Sequence, residues 1–220
     1  IPAMPMRTHE LHPAVVHAPL VLLPATAVVD LLAALAPRDR RLDRAARRLW
    51  WATAGGGLLV GLTGMAESQE IELRGDHARD MMFVHGIGNF AIVLSAFGVA
   101  TWRVRHRASL TSAMAGFVAA GAATYTAYLG GELVYSHGAG VKALGGAAAG
   151  TPALFSREGP GRLARDAARG LRWLLSRGYR AVTRQQLVDR DALGPIAQAD
   201  VDDGAHVGTP AAAQEPGPAV

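Results

Sequence analysis

Two histidines in this chain are placed where they could hold a cofactor inside an apolar segment. His17 and His85 each lie about one turn into a long uncharged stretch, and an ionisable group in such a stretch is a candidate functional residue. Neutral imidazoles on opposite sides of an iron atom are the axial ligands that haem b requires. Gly86 and Gly88 would let a flat macrocycle approach His85. The pair predicts a haem b site. The structural alternative is a hydrogen bond from each ring to a carbonyl freed by Pro19, or to the other histidine.

Three further histidines and two glutamates are expected nearer to water. His12, His77 and His137 flank the apolar stretches, and Glu67 and Glu132 lie at stretch ends. We add the three histidines to the candidate cofactor-binding residues. With the glutamates they suit zinc, iron or copper, which gives a second interpretation, a metal-ion site of open identity. A third interpretation is a proton or quinol site. Capping of helix ends explains the same histidines without any ligand.

The elements that must position these residues are four uncharged stretches, each long enough to cross a bilayer. About 20 apolar residues in a helix span the hydrocarbon core. The stretches are residues 15–36, 49–66, 81–102 and 108–131. If they cross alternately, the starts of the odd stretches and the ends of the even ones share a face. All five candidate histidines then lie on that face.

Charge between the stretches predicts the orientation. The loop 37–48 holds six arginines against two aspartates, and the segment 103–107 is also basic. Positive charge marks the cytoplasmic side, so both termini and the histidine face are expected outside a bacterial inner membrane that the chain crosses several times. Asp30, near the inner end, is expected to pair with Arg48 or Arg103.

Two terminal motifs carry a family resemblance. HPAVVHAPLVLLPATAVVDLL, residues 12–32, and GGELVYSHGAGV, residues 130–141, resemble the two signatures of a bacterial family known as domain of unknown function 2231. The glycine-rich second stretch and His85 also fit, so the resemblance covers about residues 12–141. The family usually has an aromatic residue where this chain has Ala18. The resemblance implies a four-helix membrane protein but no activity.

The chain divides into four parts by composition. Residues 1–141 form the predicted membrane domain, 142–160 a Gly/Ala/Pro linker, 161–194 a basic amphipathic helical segment, and 195–220 a disordered tail. The amphipathic helix would lie among lipid headgroups or dock on another protein, and the sequence does not favour either interpretation. The predicted fold is therefore an all-α, four-helix transmembrane bundle with a C-terminal amphipathic helix.

Composition excludes several classes of chemistry. The chain has no cysteine, which excludes thiolate zinc sites, iron–sulfur clusters held by cysteine and covalent c-type haem. The net charge is +4, but the basic residues lie in short clusters between apolar stretches and in the tail, which argues against a nucleic-acid partner. No nucleophile elbow, phosphate loop or dinucleotide fingerprint is present, so nothing indicates a hydrolase or a transferase.

The sequence thus favours a membrane redox component. In this hypothesis His17 and His85 bind haem b near the outer face and exchange electrons with a quinol or a partner subunit, by analogy with four-helix b-type cytochromes. One alternative is a cofactor-free accessory subunit of a larger membrane complex, and a weaker one is a metal-ion handling protein. The expected partners are the lipid bilayer and either another membrane protein or a second copy of the chain.

Overall fold

The computed structural model describes residues 6–73, 75–141 and 151–183. Within these residues the protein is all-α, as the sequence predicts. A 3₁₀ helix (Thr8–Glu10) leads into α1 (Leu11–Val15), α2 (His17–Leu35), α3 (Arg40–Glu67), α4 (Asp76–Arg105), α5 (Leu110–Tyr135) and α6 (Gly159–Val182). Residues 142–150 of the predicted linker, residues 184–194 of the predicted amphipathic segment and the predicted tail lie outside the described residues.

Local sequence sets where several helices begin and end. Pro19 has no N–H to donate to the carbonyl of Val15, and the helix is interrupted between them at Val16. Asp39 accepts hydrogen bonds from two backbone N–H groups in the first turn of α3. Ser109 caps α5 in the same way. The connections between α2, α3, α4 and α5 are short, so neighbouring helices are antiparallel.

The helices α2 to α5 pack as a four-helix bundle. Both α2 and α4 contact α3 and α5, which places α2 and α4 on opposite corners. The starts of α1, α2 and α4 therefore lie at the same end of the bundle as the ends of α3 and α5. This end carries the candidate histidines.

Small side chains fill the bundle interior, and large apolar ones point outward. The central cluster is mostly alanine around Leu23 and Trp50. A methyl group at Gly116 of α5 would lie 2.8 Å from the Cβ of Ala27, so α2 and α5 are in close contact. Each helix also carries large apolar side chains that are more than half exposed, such as Val21, Leu59, Leu94 and Val118. Small residues at helix contacts are typical of helices packed in lipid.

Two helical segments within the described residues are long and apolar enough to cross a membrane by length and composition, Thr8–Leu35 and Asp76–Arg105. The sequence predicts four such segments. The first third of α3 is highly charged, and glycine and threonine lower the apolar character of the rest. Glycine, serine, threonine and tyrosine do the same in α5. These two helices therefore do not qualify individually.

The last helix, α6, packs on α3 and to a smaller extent on α4. A methyl group at Gly170 would collide with the carbonyl oxygen of Met65, so the two helices cross closely there. The residues before α6 contact the N-terminal segment. The guanidinium of Arg7 donates to the carbonyl of Thr151 at 2.8 Å, and the backbone N–H of Thr8 donates to the carbonyl of Pro152.

Candidate functional site

His12 and His85 are both half-buried, and each makes a hydrogen bond to the backbone of a neighbouring helix. The Nδ1 atom of His12 lies 3.1 Å from the carbonyl oxygen of Val60 in α3. The Nδ1 atom of His85 lies 2.7 Å from the carbonyl oxygen of Thr126 in α5. A carbonyl oxygen only accepts, so each Nδ1 carries the proton and donates it. The Nε2 atom of each ring then keeps its lone pair, which is the form in which imidazole binds a metal.

A glycine on the facing helix makes room for each of these rings. A methyl group at Gly64 would lie 2.9 Å from the His12 ring, and one at Gly130 would lie 3.0 Å from the His85 ring. Each glycine comes four residues after the carbonyl that accepts the hydrogen bond. His12 on α3 and His85 on α5 therefore occupy matching positions in two antiparallel helix pairs.

Asn89 orients the His85 ring from the other side. Its Oδ1 accepts a hydrogen bond from the Thr126 hydroxyl at 3.0 Å, which turns its amide NH₂ toward His85. That nitrogen donates to the backbone carbonyl of His85 at 2.9 Å and lies 3.3 Å from Nε2. Nε2 is thus an acceptor, in agreement with a proton on Nδ1. No sequence motif marked Asn89, although its position four residues after His85 places both on one helix face.

The structure associates His85 with His12, where the sequence analysis paired His85 with His17. His12 and His85 are close enough to interact electrostatically, and they come from opposite corners of the bundle. His17 is exposed at the start of α2. Within the described part of the chain, no hydrogen bond or ring contact joins His17 to His85.

The other candidate histidines form a separate pair. The ring centroids of His77 and His137 lie 5.9 Å apart with the planes tilted by 54°. Glu132, which the sequence analysis placed near them, accepts a hydrogen bond from the Ser136 hydroxyl at 2.7 Å. Among the residues that the structure describes, no three histidine, aspartate or glutamate side chains are grouped to hold a metal ion.

The carboxyl groups of Glu67 and Glu70 lie just beyond the apolar part of α3. The Thr8 hydroxyl contacts both carboxylate oxygens of Glu70, at 2.8 and 2.9 Å. Burial, together with the nearby charge of Glu70, raises the pKa of Glu67 to about 8. Burial also raises the pKa of Glu70. Glu67 can therefore gain or lose a proton near neutral pH.

The opposite end of the bundle holds a buried ion-pair network. Arg103 is fully buried, and its Nε donates to Asp30 at 3.0 Å while its Nη2 donates to Asp43 at 2.9 Å. Arg103 is one of the two partners that the sequence analysis expected for Asp30. The network joins α2, α3 and α4, and we assign it a structural role.

Comparison with known proteins places the chain in a family of predicted membrane proteins. A family model described as "Predicted membrane protein (DUF2231)" matches residues 8–143. Searches among curated proteins and among solved structures give no significant match. The matched region contains both histidine–glycine contacts and the buried ion-pair network, and it ends before α6.

Proposed function

Because the chain belongs to the family of predicted membrane proteins known as domain of unknown function 2231, we propose that it is an integral protein of the bacterial inner membrane with four spans. The segments Thr8–Leu35 and Asp76–Arg105 have the length and apolar composition of membrane-spanning helices. The helices α3 and α5 cross with them because they complete the bundle. Their outward side chains, such as Leu59 and Val118, are apolar and exposed.

Charge and tryptophan positions support an orientation with both termini outside. The basic segments 37–48 and 103–107 lie at the end of the bundle that holds Arg103, and positive charge favours the cytoplasmic side. The exposed Trp51 and Trp102 lie at the same end, where tryptophan is enriched at membrane interfaces. The histidine end is then the outer end.

We further propose that His12 and His85 hold a haem b and that the protein is a redox component of the membrane. The observation that carries this proposal is the pair of half-buried imidazoles on opposite corners of the bundle, each donating Nδ1–H to a carbonyl. A metal ion bound by protein side chains alone needs three or four ligands. A haem could be held by His12 and His85 alone, because its macrocycle supplies the remaining iron ligands.

The residues around the histidines have defined tasks in this proposal. The carbonyls of Val60 and Thr126 fix the ring orientations, and Gly64 and Gly130 let the rings lie against the helix backbone. The amide nitrogen of Asn89 lies 3.3 Å from Nε2 of His85. It would give up this contact when Nε2 binds the ligand. A bound haem would supply one-electron chemistry, and a quinol or a partner subunit at the outer face would exchange the electrons.

The test is the absorption spectrum of the full chain, purified in mild detergent from cells supplied with haem. We expect a Soret band and, after dithionite reduction, a sharp α band. His12→Ala or His85→Ala should abolish both bands, whereas His17→Ala, at an exposed site, should keep them. Dependence on His17 instead of His12 would overturn the assigned pair.

A featureless spectrum of folded protein would overturn the haem proposal. The two imidazoles would then be hydrogen-bonding ties between helices. The accessory-subunit alternative would remain, and its sign is colourless protein that co-purifies with a membrane partner.

A further inference from the structure

The basic helix α6 is anchored to the outer end of the bundle by arginines near both of its ends. Arg162 forms an ion pair with Glu70, with 3.8 Å between Nε and Oε1. Arg177 is buried, forms an ion pair with Asp80, and stacks on the Phe83 ring with its guanidinium carbon 4.7 Å from the ring centroid. These contacts hold α6 at a definite height on the bundle.

That height coincides with the outer boundary of the proposed membrane. Phe83 lies 19 residues before Trp102, which is about 28 Å of helix and close to the thickness of the hydrocarbon core. Glu70 lies three residues after the end of α3, in the connection to α4. Both anchors of α6 are therefore near the same depth, and α6 lies along the outer membrane surface.

Contacts with α4 show which side of α6 faces the bilayer interior. Arg177 contacts Asp80 in the second turn of α4, nearer to the outer water. Leu174 faces a deeper position, because a methyl group at Gly86 would lie 3.1 Å from its side chain. Gly178 faces the next residue of α4, with a methyl group there 3.8 Å from the Ile87 side chain. Rotation around α6 from Arg177 through Leu174 to Gly178 thus leads toward the bilayer interior.

An apolar stripe follows next in the same rotational direction. At about 100° per residue, Leu171, Leu175 and Val182 fall within about 40° of one another, just beyond Gly178. Leu175 is 48% exposed and Val182 is 85% exposed. The stripe borders a shallow groove of about 550 Å³, lined by Ala168, Leu171, Arg172, Leu175, Ser176 and Tyr179.

Arginines occupy the sides of α6 that lie beyond the stripe. Arg165, Arg169 and Arg172 are exposed, and α6 as a whole has six arginines against one aspartate. An apolar stripe directed at the hydrocarbon, with arginines beside it at headgroup height, is the arrangement of a helix that lies in a membrane interface.

We propose that α6 is a lipid-binding helix of the outer leaflet and that it prefers anionic phospholipids. The stripe of Leu171, Leu175 and Val182 contacts acyl chains, and the exposed arginines bind lipid phosphates. The proposal rests on the four-span membrane placement proposed above and is independent of any haem. It assigns a surface outside the region that the family model matches.

Single cysteines can test the acyl-chain contact, since the native chain has none. Leu175→Cys, Ser176→Cys and Leu94→Cys, each in the full chain, would carry a bimane label in bilayers containing nitroxide lipids. We expect strong quenching at position 94 by deep nitroxides and at 175 by shallow ones. Position 176, adjacent but on another side of α6, should be quenched at least threefold less than 175.

The outcomes separate the two proposals. Quenching at 94 without quenching at 175 overturns the lipid contact of α6 and leaves the spans intact. This result is also expected if the stripe serves a partner protein, because in pure lipid bilayers it would then face water. Absence of quenching at 94 overturns the membrane placement itself.

The headgroup preference needs a second measurement. Full-length protein in bilayers of phosphatidylcholine with increasing phosphatidylglycerol would be compared with the Arg165→Gln/Arg172→Gln double variant. We expect native protein to enrich phosphatidylglycerol in its surrounding lipid and the variant to lose at least half of that enrichment. Equal enrichment in both proteins would overturn the role of the arginines.

Discussion

At the residue scale, the informative feature is the contact between an imidazole and a glycine on the facing helix. His12 on Gly64 and His85 on Gly130 repeat the same arrangement, with Nδ1 donating to a carbonyl one helical turn before the glycine. The hydrogen bond selects the tautomer, and the missing side chain lets the ring reach the carbonyl. Each glycine therefore controls the position of a histidine about 50 residues away in the sequence.

Adding one methyl group at either glycine should displace the imidazole without removing it. In Gly64→Ala the new Cβ would lie 2.9 Å from the His12 ring, and in Gly130→Ala it would lie 3.0 Å from the His85 ring. We expect each variant to fold and to retain less than about a tenth of the haem absorbance. This corresponds to at least about 1.4 kcal/mol of lost binding free energy at subsaturating haem.

Gly61→Ala is the matched control for these variants. Gly61 lies one turn before Gly64 on α3, and a methyl group there would have no neighbour within 4 Å. Its haem absorbance should equal that of the native protein. Equal spectra for Gly61→Ala and Gly64→Ala would contradict the assigned role of the His12 contact.

The half-buried Glu67 should make stability depend on pH. Burial and the charge of Glu70 raise its folded-state pKa from 4.5 to about 8, so the folded protein binds the proton more tightly than the unfolded chain. The stabilisation is fully present below pH 4.5 and is lost as the pH rises to 8. Glu67→Gln should therefore raise the Tm at pH 9 by about 3 °C or more relative to the native protein.

Thermal unfolding in detergent between pH 4.5 and 9 checks this prediction. The gap between Glu67→Gln and the native protein should widen from pH 4.5 to 8 and then stay constant. Glu158→Gln makes the same chemical change at an exposed site before α6 and should not produce such a gap. A gap that does not vary with pH would contradict the proton-binding explanation.

At the element scale, one arginine determines how three helices meet at the end of the bundle opposite the histidines. Arg103 on α4 donates to Asp30 on α2 and to Asp43 on α3. Asp43 also accepts hydrogen bonds from the guanidinium of Arg47 and from the backbone N–H of Ala108, the residue that precedes the α5 cap. These contacts fix the relative positions of the helix ends next to the basic segments 37–48 and 103–107.

Removing this arginine should be strongly destabilising. Arg103→Gln would leave two acidic side chains without their main charged partner, and loss of one member of a buried ion pair typically costs about 3–5 kcal/mol. We expect the Tm to fall by about 10 °C. Arg105→Gln, an equal charge change at an exposed position on the same helix, should shift the Tm by less than about 2 °C. Similar shifts in the two variants would show that the network contributes little.

At the scale of the whole molecule, the distribution of side-chain size is suited to lipid. Alanine and glycine lie at the helix contacts, while leucine, valine and phenylalanine project outward. In water these exposed side chains would favour aggregation, whereas in a bilayer they contact acyl chains. The small interior residues let the helix backbones approach closely, as Gly116 does against Ala27.

The proposed orientation predicts which surfaces a membrane-impermeant thiol reagent can reach in intact cells. Ser136→Cys, at the histidine end and exposed, should be labelled from outside. Arg41→Cys, in the exposed first turn of α3, should be labelled only after the cells are opened. Because the native chain has no cysteine, it is the background control. The reverse labelling pattern would invert the proposed topology, with the histidine pair then facing the cytoplasm.

Short-range patterns of the sequence predict much of the architecture. Long uncharged stretches indicated the helices, and the described chain is indeed all-α. The motifs at residues 12–32 and 130–141 identified the family, which the match over residues 8–143 confirms. The choice of Arg48 or Arg103 as the partner of Asp30 required only helix lengths and an antiparallel order. These features depend on composition and spacing along the chain, which the sequence states directly.

The tertiary structure decided which residues come together. His17 was the more conspicuous histidine because it lies within an apolar stretch, yet His12 is the one that lies on a glycine of α3. Helix rotation selects between them, and that rotation depends on the interruption at Val16 and on packing against α3. Amphipathicity likewise predicted a basic helix near residue 170, but only contacts such as Arg177 with Asp80 seat it on the bundle. Such contacts join residues 50 to 100 positions apart, so helix periodicity alone does not encode them.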